Sequence, residues 1–320
     1  MQIRILTAAD IRSSLSMTEA INGVERAYAQ LSADKATMPL RSRFHTEKGV
    51  TLLMPAHLHD SGDFAIKIVS VYADNPKLGL PTVAATVLAL DPQTGMPLAL
   101  MEGDSLTALR TGAAGGVAAR YLARTDAATV ALFGAGVQAR AQLQAAMAVR
   151  KIDQVWIVDP LESAARRLAD DISGWPDAPA VTLAGSAQSA VAQADIVLAA
   201  TTTTTPLFDG NDLKPGAHVT GVGSFTPQMQ EIDATTIRRA RVVVDQRAAA
   251  MAEAGDIIIA KATIDAEIGE IINGDKPGRQ NEEEITFFKS VGLAVQDAVT
   301  AGAVLKAAEK KNLGTVIQMS

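Results

Sequence analysis

The sequence predicts an α/β protein in which a Rossmann-type doubly wound parallel sheet is joined to a second, mixed α/β domain. Three observations carry that expectation. A buried strand pattern, Ala128-Thr129-Val130-Ala131-Leu132-Phe133, runs straight into a glycine turn and a helical stretch. Strand and helix patterns then alternate from about residue 122 to 290, an order that implies parallel strands joined by crossover helices. At 320 residues with 48% apolar composition, the chain is long enough to fill two cores. The expected division is 1–121 with 291–320 for the mixed domain, and 122–290 for the parallel one.

The mixed domain opens with Ser16-Met17-Thr18-Glu19, the spacing of a capping box at a helix start. Ala20, Ile21, Val24, Ala27, Tyr28 and Leu31 follow at helical spacing, an apolar stripe that needs a sheet to cover it. Strand-like runs come at Val50–Met54, Phe64–Val71, Thr82–Leu90 and Pro97–Met101, with turns at Asn75-Pro76 and Asp91-Pro92. From Asp104 to Arg124 the pattern is helical and rich in Ala and Gly, which lets other backbones come close. The amphipathic run Leu293–Lys311 predicts a terminal helix that packs back onto this domain and brings the termini together. Glu282-Glu283-Glu284 reads as an exposed helix start, since carboxylates suit the positive end of the helix dipole.

In the parallel domain each small residue of Gly134-Ala135-Gly136-Val137-Gln138-Ala139 has a physical task. Gly134 permits the tight turn, Gly136 lets a pyrophosphate approach the backbone, and Ala139 allows close helix–strand packing. The helix N-terminus then offers N–H groups and partial positive charge to phosphates. A second strand, Gln154–Val158, ends in Asp159, where a dinucleotide's adenosine ribose would bind. A carboxylate there repels a 2′-phosphate and favours NAD(H), while Arg166 and Arg167 soften the preference and leave NADP(H) open. A third strand, Asp195–Ala200, leads into the run Thr201–Thr205. That run reads either as a plain extended loop or as a cofactor contact, with Thr201 the best-placed member.

Three cations stand in apolar or small-residue surroundings: Arg41, Lys67 and Arg110. Lys67 interrupts Phe64-Ala65-Ile66-Lys67-Ile68-Val69; it either meets an anion in the interior or points to solvent from an edge strand. Three such cations suit a carboxylate, with arginine giving bidentate pairing.

Several classes are disfavoured. A formal charge of −6 and a pI near 5.3 argue against nucleic acid and anionic membranes. There is no cysteine, no run of eighteen uncharged apolar residues, and no signal-peptide pattern in MQIRILTAAD, so the expected setting is cytoplasmic. His57-Leu58-His59-Asp60 offers metal-type ligands without an evident third, and no metal site is predicted.

Over nearly its whole length the chain resembles the ornithine cyclodeaminase/μ-crystallin family. The resemblance rests on Met54-Pro55-Ala56-His57, Gly79-Leu80-Pro81-Thr82-Val83, Leu109-Arg110-Thr111-Gly112-Ala113-Ala114-Gly115-Gly116, the glycine turn, and Ser290-Val291-Gly292-Leu293-Ala294-Val295-Gln296-Asp297. It implies that Arg41, Lys67 and Arg110 hold a substrate carboxylate. It also implies that Thr82, Arg110, Thr111, Val137, Gln138, Asp159, Thr201, Val222 and Ser290 surround the dinucleotide, with Gly134 and Gly136 in its turn. The mixed domain would then bind a small-molecule substrate and join a homodimer. Asp297 sits in a matching segment but reads equally as a helix-face residue, and is left out of the catalytic set.

Members of this family include ornithine cyclodeaminases, archaeal alanine dehydrogenases and ketimine reductases acting on Δ1-pyrroline-2-carboxylate or its piperideine homologue. The cyclodeaminases and alanine dehydrogenases carry a catalytic aspartate after a glycine-rich strand end. Here that segment reads Gly221-Val222-Gly223-Ser224-Phe225-Thr226-Pro227-Gln228-Met229-Gln230-Glu231, with Phe225 in the aspartate's place. Phenylalanine moves no proton. A cyclic ketimine needs none moved from an amine, because its C=N bond already exists. The expectation is therefore NAD(P)H-dependent reduction of a small cyclic ketimine carboxylate. If Glu231, Asp233 or another acid does the aspartate's work, ornithine cyclodeaminase or alanine dehydrogenase activity remains. A crystallin-like binder without turnover would have no need of all three cations.

Overall fold

A computed structural model of the protein describes residues 1–319. The chain divides into two compact units, Met1–Arg110 together with the chain from Leu293 onward, and Thr111–Gly292. The division falls inside one helix, Gly103–Leu122, some residues earlier than the expected boundary at 121.

The first unit is built on a mixed eight-stranded sheet. Its strands are β1 (Gln2–Leu6), β2 (Ala36–Thr37), β3 (Ser42–His45), β4 (Val50–Leu58), β5 (Phe64–Val71), β6 (Val83–Leu90) and β7 (Pro97–Glu102), closed by the last strand of the chain, Thr315–Gln318. From one edge the order is Thr315–Gln318, β1, β7, β6, β5, β4, β2, with β3 also paired to β4. The meander β4-β5-β6-β7 is antiparallel throughout, and β1 lies parallel to β7.

The Met17–Ser32 helix starts at the expected capping box: Ser16 Oγ accepts from Glu19 N at 3.3 Å, and Ser16 N donates to the Glu19 carboxylate at 2.8 Å. Its buried stripe of Ala20, Ile21, Val24, Ala27 and Tyr28 packs with the terminal helix, Ala294–Lys311, over β4 and β5. Strand alternation fixes what meets those helices. Ala65 and Lys67 of β5, Met54 and Ala56 of β4, and Val87 and Ala89 of β6 share the covered face. The closing strand was not foreseen from sequence; it pairs antiparallel with β1, Gln2 opposite Gln318.

The second unit is an eight-stranded sheet in which every pairing is parallel. Its strands are β8 (Thr129–Phe133), β9 (Gln154–Val158), β10 (Ala180–Leu183), β11 (Ile196–Ala199), β12 (His218–Gly221), β13 (Ala240–Val244), β14 (Ala266–Glu267) and β15 (Ile285–Lys289). They lie in the order β10-β9-β8-β11-β12-β15-β13-β14, reversing direction of growth between β8 and β11. That is the doubly wound, Rossmann-type arrangement, and ligands of such sheets bind outside the carboxyl ends of the strands. The central strands β8 and β11 are near-continuous apolar runs because both faces are covered. One expectation fails here. Glu282 and Glu283 lie on an exposed bend leading into β15, not at a helix start, because the apolar run Ile285–Phe288 is drawn into the sheet between β12 and β13.

Candidate active site

All the parallel strands of the second unit end on one edge, and that edge gathers the residues singled out from sequence. Gly134 follows β8, Asp159 follows β9, Thr201 lies just past β11, Val222 follows β12 and Ser290 follows β15. Gly134 has φ +95°, and a Cβ there would lie 2.7 Å from the carbonyl oxygen of Ala200, so both conformation and space require glycine. Gly136 is the N-cap of the Val137–Val149 helix and has no side chain to cap it, while a Cβ built on it would meet nothing within 4 Å. The start of that helix is thus left open by Gly136 and has no side-chain cap, and Val137 beside it is exposed.

A nicotinamide dinucleotide fits these residues. Gln138 carries a buried side-chain oxygen with no hydrogen-bond partner. Asp159, its Oδ1 held by Leu161 N at 2.8 Å, lines a cavity of about 580 Å³ with Pro160, Glu162, Arg166, Leu183 and Ser186. Arg166 is committed to Glu162 one turn earlier, Nε to Oε1 at 2.9 Å. Ser290 is buried and donates to Asp245 Oδ2 at 2.9 Å, and that same oxygen accepts from Val291 N and Gly292 N. Burial pushes the Asp245 carboxyl above its ordinary range. Thr111 opens the unit; its carbonyl accepts from Gln142 Nε2 at 2.7 Å, an interhelical bond made possible by the small residues around it.

In the first unit the structure brings Lys67 and Arg110 together on one carboxylate. Lys67 Nζ lies 2.8 Å from Asp297 Oδ2, and Arg110 Nε donates to Asp297 Oδ1 at 2.9 Å. Arg110 Nη1 also donates to Gln296 Oε1 at 2.9 Å, and Gln296 Nε2 donates to the hydroxyl of the buried Tyr28 at 2.5 Å. Lys67 is 3% exposed and Asp297 1%, so neither charge has water to answer it. Burial pushes the Lys67 ammonium down to about 8, with Arg110 beside it adding to the fall, Asp297 opposing it, and Arg41 acting weakly in the same direction as Arg110. Arg110 and Lys67 hold Asp297 below the ordinary carboxylate range in spite of its burial. Thr82, by contrast, is exposed just before β6, its carbonyl bonded to Tyr72 N at 2.8 Å, and is not joined to this cluster.

Residues 1–312 match the ornithine cyclodeaminase/mu-crystallin family. The chain belongs to that family. It is 37% identical over 324 residues to a Δ1-pyrroline-2-carboxylate reductase of Bacillus cereus, covering 98% of this chain and 99% of that one. Among solved structures, the Δ1-pyrroline-2-carboxylate reductase of Thermococcus litoralis, in complex with NADH and L-proline, superposes with a TM-score of 0.93 at 42% identity. That match covers 98% of this chain and 99% of the other. An archaeal alanine dehydrogenase dimer with bound NAD gives 0.94 at 36% identity, with full coverage of both chains.

Phe225 stands 41% exposed after β12. The acids near it in sequence are engaged elsewhere: Asp233 caps the Ala234–Arg239 helix through Thr236 N at 2.8 Å, and Glu231 is fully buried with both carboxylate oxygens occupied. Asp297, Gln296 and Tyr28 are the site residues that sequence reasoning missed. The usable signal was an acid in an otherwise uncharged first turn, Ala294-Val295-Gln296-Asp297, the counterpart of the cation in an otherwise apolar strand. The His57 ring lies tilted against those of Phe64 and His59, and His59 Nε2 is bonded to Thr37 Oγ1 at 2.9 Å. Among the described residues, no helix is long and apolar enough to cross a membrane.

Proposed function

We propose that this protein reduces a small cyclic ketimine carboxylate, Δ1-pyrroline-2-carboxylate first and its six-membered homologue second, to the L-imino acid. The observation that carries the reading is that Glu231 and Asp233 are held in structural bonds, which supports the expectation that Phe225 stands in place of a proton-moving acid with no nearby acid to do its work. Deamination of ornithine or alanine needs an amine deprotonated and water or ammonia managed at carbon, so a placed acid–base is valuable there. A protonated cyclic C=N needs only hydride at the carbon beside the carboxylate. The balance is one ketimine, one reduced dinucleotide and one proton to one imino acid and one oxidised dinucleotide.

Bound dinucleotide supplies the hydride. The chain supplies the rest. Lys67 and Arg110 outnumber Asp297 by one positive charge, and a substrate carboxylate restores the balance. Arg41 is close enough to Lys67 to affect its proton affinity, and completes the clamp. Gripping the carboxylate orients the ring and keeps the cations clear of the iminium nitrogen, which they would repel. We place the dinucleotide at Gly134, Gly136, Val137, Gln138, Asp159, Thr201, Val222 and Ser290, with NAD(H) preferred through Asp159; Thr82, Arg110 and Thr111 are carried as further contacts on family likeness.

The protein is further proposed to act as a cytoplasmic homodimer. Leu53, Ile66, Ile68, Leu88, Leu98 and Leu100 share the face of the first sheet that the helices leave open, an apolar surface fit for a second copy. The test of function is oxidation of NADH and NADPH with Δ1-pyrroline-2-carboxylate, beside ornithine with NAD⁺ and pyruvate with ammonia and NADH. Turnover of the cyclic imine alone supports the reading. Ornithine- or alanine-linked turnover overturns it and returns proton transfer to an acid of this chain, whereas binding of NADH with silence in every assay favours a binding role.

A further inference from the structure

We infer that Glu231 is a positioning residue whose buried carboxylate locks together the turns after β11 and β12, two of the turns on which the dinucleotide rests. The inference depends on the placement of Thr201 and Val222 at the dinucleotide given under Proposed function. Glu231 Oε1 accepts from Thr201 N at 2.6 Å and Thr201 Oγ1 at 2.9 Å, while Oε2 accepts from Gly223 N at 2.6 Å and Ser224 N at 3.1 Å. One side chain thus holds the ends of two neighbouring parallel strands. The turns themselves touch: a Cβ on Gly223 would fall 2.0 Å from the carbonyl oxygen of Thr201 and 2.5 Å from Glu231 Oε1.

Glu231 is in turn held from behind. Its backbone N–H and that of Ile232 donate to Asp256 Oδ1 at 2.7 and 3.0 Å, and Asp256 Oδ2 faces Lys289 Nζ at 3.2 Å. Ser224 Oγ accepts from Asp256 N at 3.2 Å and donates to the carbonyl of Met229 at 2.8 Å. Lys289 is the last residue of β15, directly before Ser290, so the network reaches a third strand end. Glu231, Asp256 and Lys289 are all 0% exposed. Such a group does not exchange protons with a ligand, because both oxygens are filled by donors and none of the carboxylate reaches open space. Burial pushes the Glu231 carboxyl above its ordinary range, with Lys289 and the Thr201 donors opposing. Its contribution is rigidity: it fixes backbone at the strand ends where a millimolar ligand and a well-bound one differ by small displacements.

Glu231→Gln tests this directly. The amide oxygen can serve only one pair of donors, so its NH₂ group must face a backbone N–H on the other side, and one of the two turns is displaced. The expected result is an NADH dissociation constant raised about tenfold, read by fluorescence titration, with the shape of the kcat pH profile retained. Thr201→Val, which removes one donor to the same carboxylate, should raise that constant about threefold, and the double variant should be no worse than Glu231→Gln alone. Unchanged NADH affinity, or additive losses in the double variant, would overturn the inference. So would intact NADH affinity with kcat reduced and one limb of its pH profile gone, which would make Glu231 a proton-transfer group. Should Glu231→Gln not fold, Asp256→Ala decides instead: it removes the acceptor that holds the Glu231 and Ile232 N–H groups and touches no residue placed at the dinucleotide, so unchanged NADH affinity in that variant would count against the inference. NADH titration needs no imine, so an error in the substrate would silence the turnover assays while leaving this test intact.

Discussion

The two units each bury a cluster of charges beneath the place where a ligand is expected, and the clusters are built on opposite plans. In the first, Asp297 answers both Lys67 and Arg110, so the directly bonded groups carry one positive charge over, with Arg41 and Asp104 acting on Lys67 from further off with opposite signs. In the second, Lys289 is paired with Asp256 and acts on Glu231, but six N–H and O–H donors already serve the two carboxylates, five of them from the backbone. A buried cation in excess has few ways of being satisfied other than by an incoming anion, whereas a carboxylate filled by backbone donors is satisfied by the fold itself. Burial alone therefore does not separate a binding group from a structural one. The residual charge does.

The same substitution in the two clusters should break the comparison if it is wrong. Lys289→Met removes the cation paired with buried Asp256 and acting on buried Glu231, and should destabilise the protein by about 3–5 kcal/mol, measured by chemical denaturation. Lys67→Met removes the surplus charge and leaves Asp297 paired with Arg110, so stability should change by no more than about 1 kcal/mol. Its turnover should instead fall on the order of a hundredfold or more, with the NADH dissociation constant within about twofold of the parent. Equal loss of NADH affinity would remove Lys67 from the substrate side. A smaller effect is expected at Asp159: Asp159→Ser takes away the charge opposed to a 2′-phosphate and should shift the NADPH/NADH ratio of kcat/KM about tenfold toward NADPH. An unchanged ratio would mean that the ribose lies elsewhere.

What was legible in the sequence was what is decided locally. The Ser16/Glu19 capping box and the turn Gly134–Ala139 each involve residues within a few positions, and both form as read. Lys67 was legible as an anomaly because its strand neighbours are apolar, but its partner was not: Asp297 comes from a helix at the other end of the chain, and nothing in either local pattern says that the two meet. The strand Thr315–Gln318 escaped for the same reason, since it exists only by pairing with β1. Glu282–Glu284 misled in the opposite way, a local helix signal overruled by the sheet that claims Ile285–Lys289. Glu231 was readable as an acid near a strand end, but whether it faces a ligand or the backbone depends on hydrogen bonds to residues of two other segments.

The central claim, that the surplus charge at Lys67 and Arg110 receives the substrate carboxylate, is tested most directly by the pH dependence of a carboxylate inhibitor with no titrating nitrogen, such as pyrrole-2-carboxylate. Lys67 loses its proton at about 8, far below an ordinary lysine, so the clamp is fully charged below that pH and loses one charge above it. The inhibition constant should be flat from about pH 6.5 to 7.5 and then rise by about tenfold per pH unit above 8, while in Lys67→Arg it should stay flat across the range. An inhibition constant equally flat in the parent protein would contradict the claim, because it would mean that the carboxylate binds without the Lys67 charge.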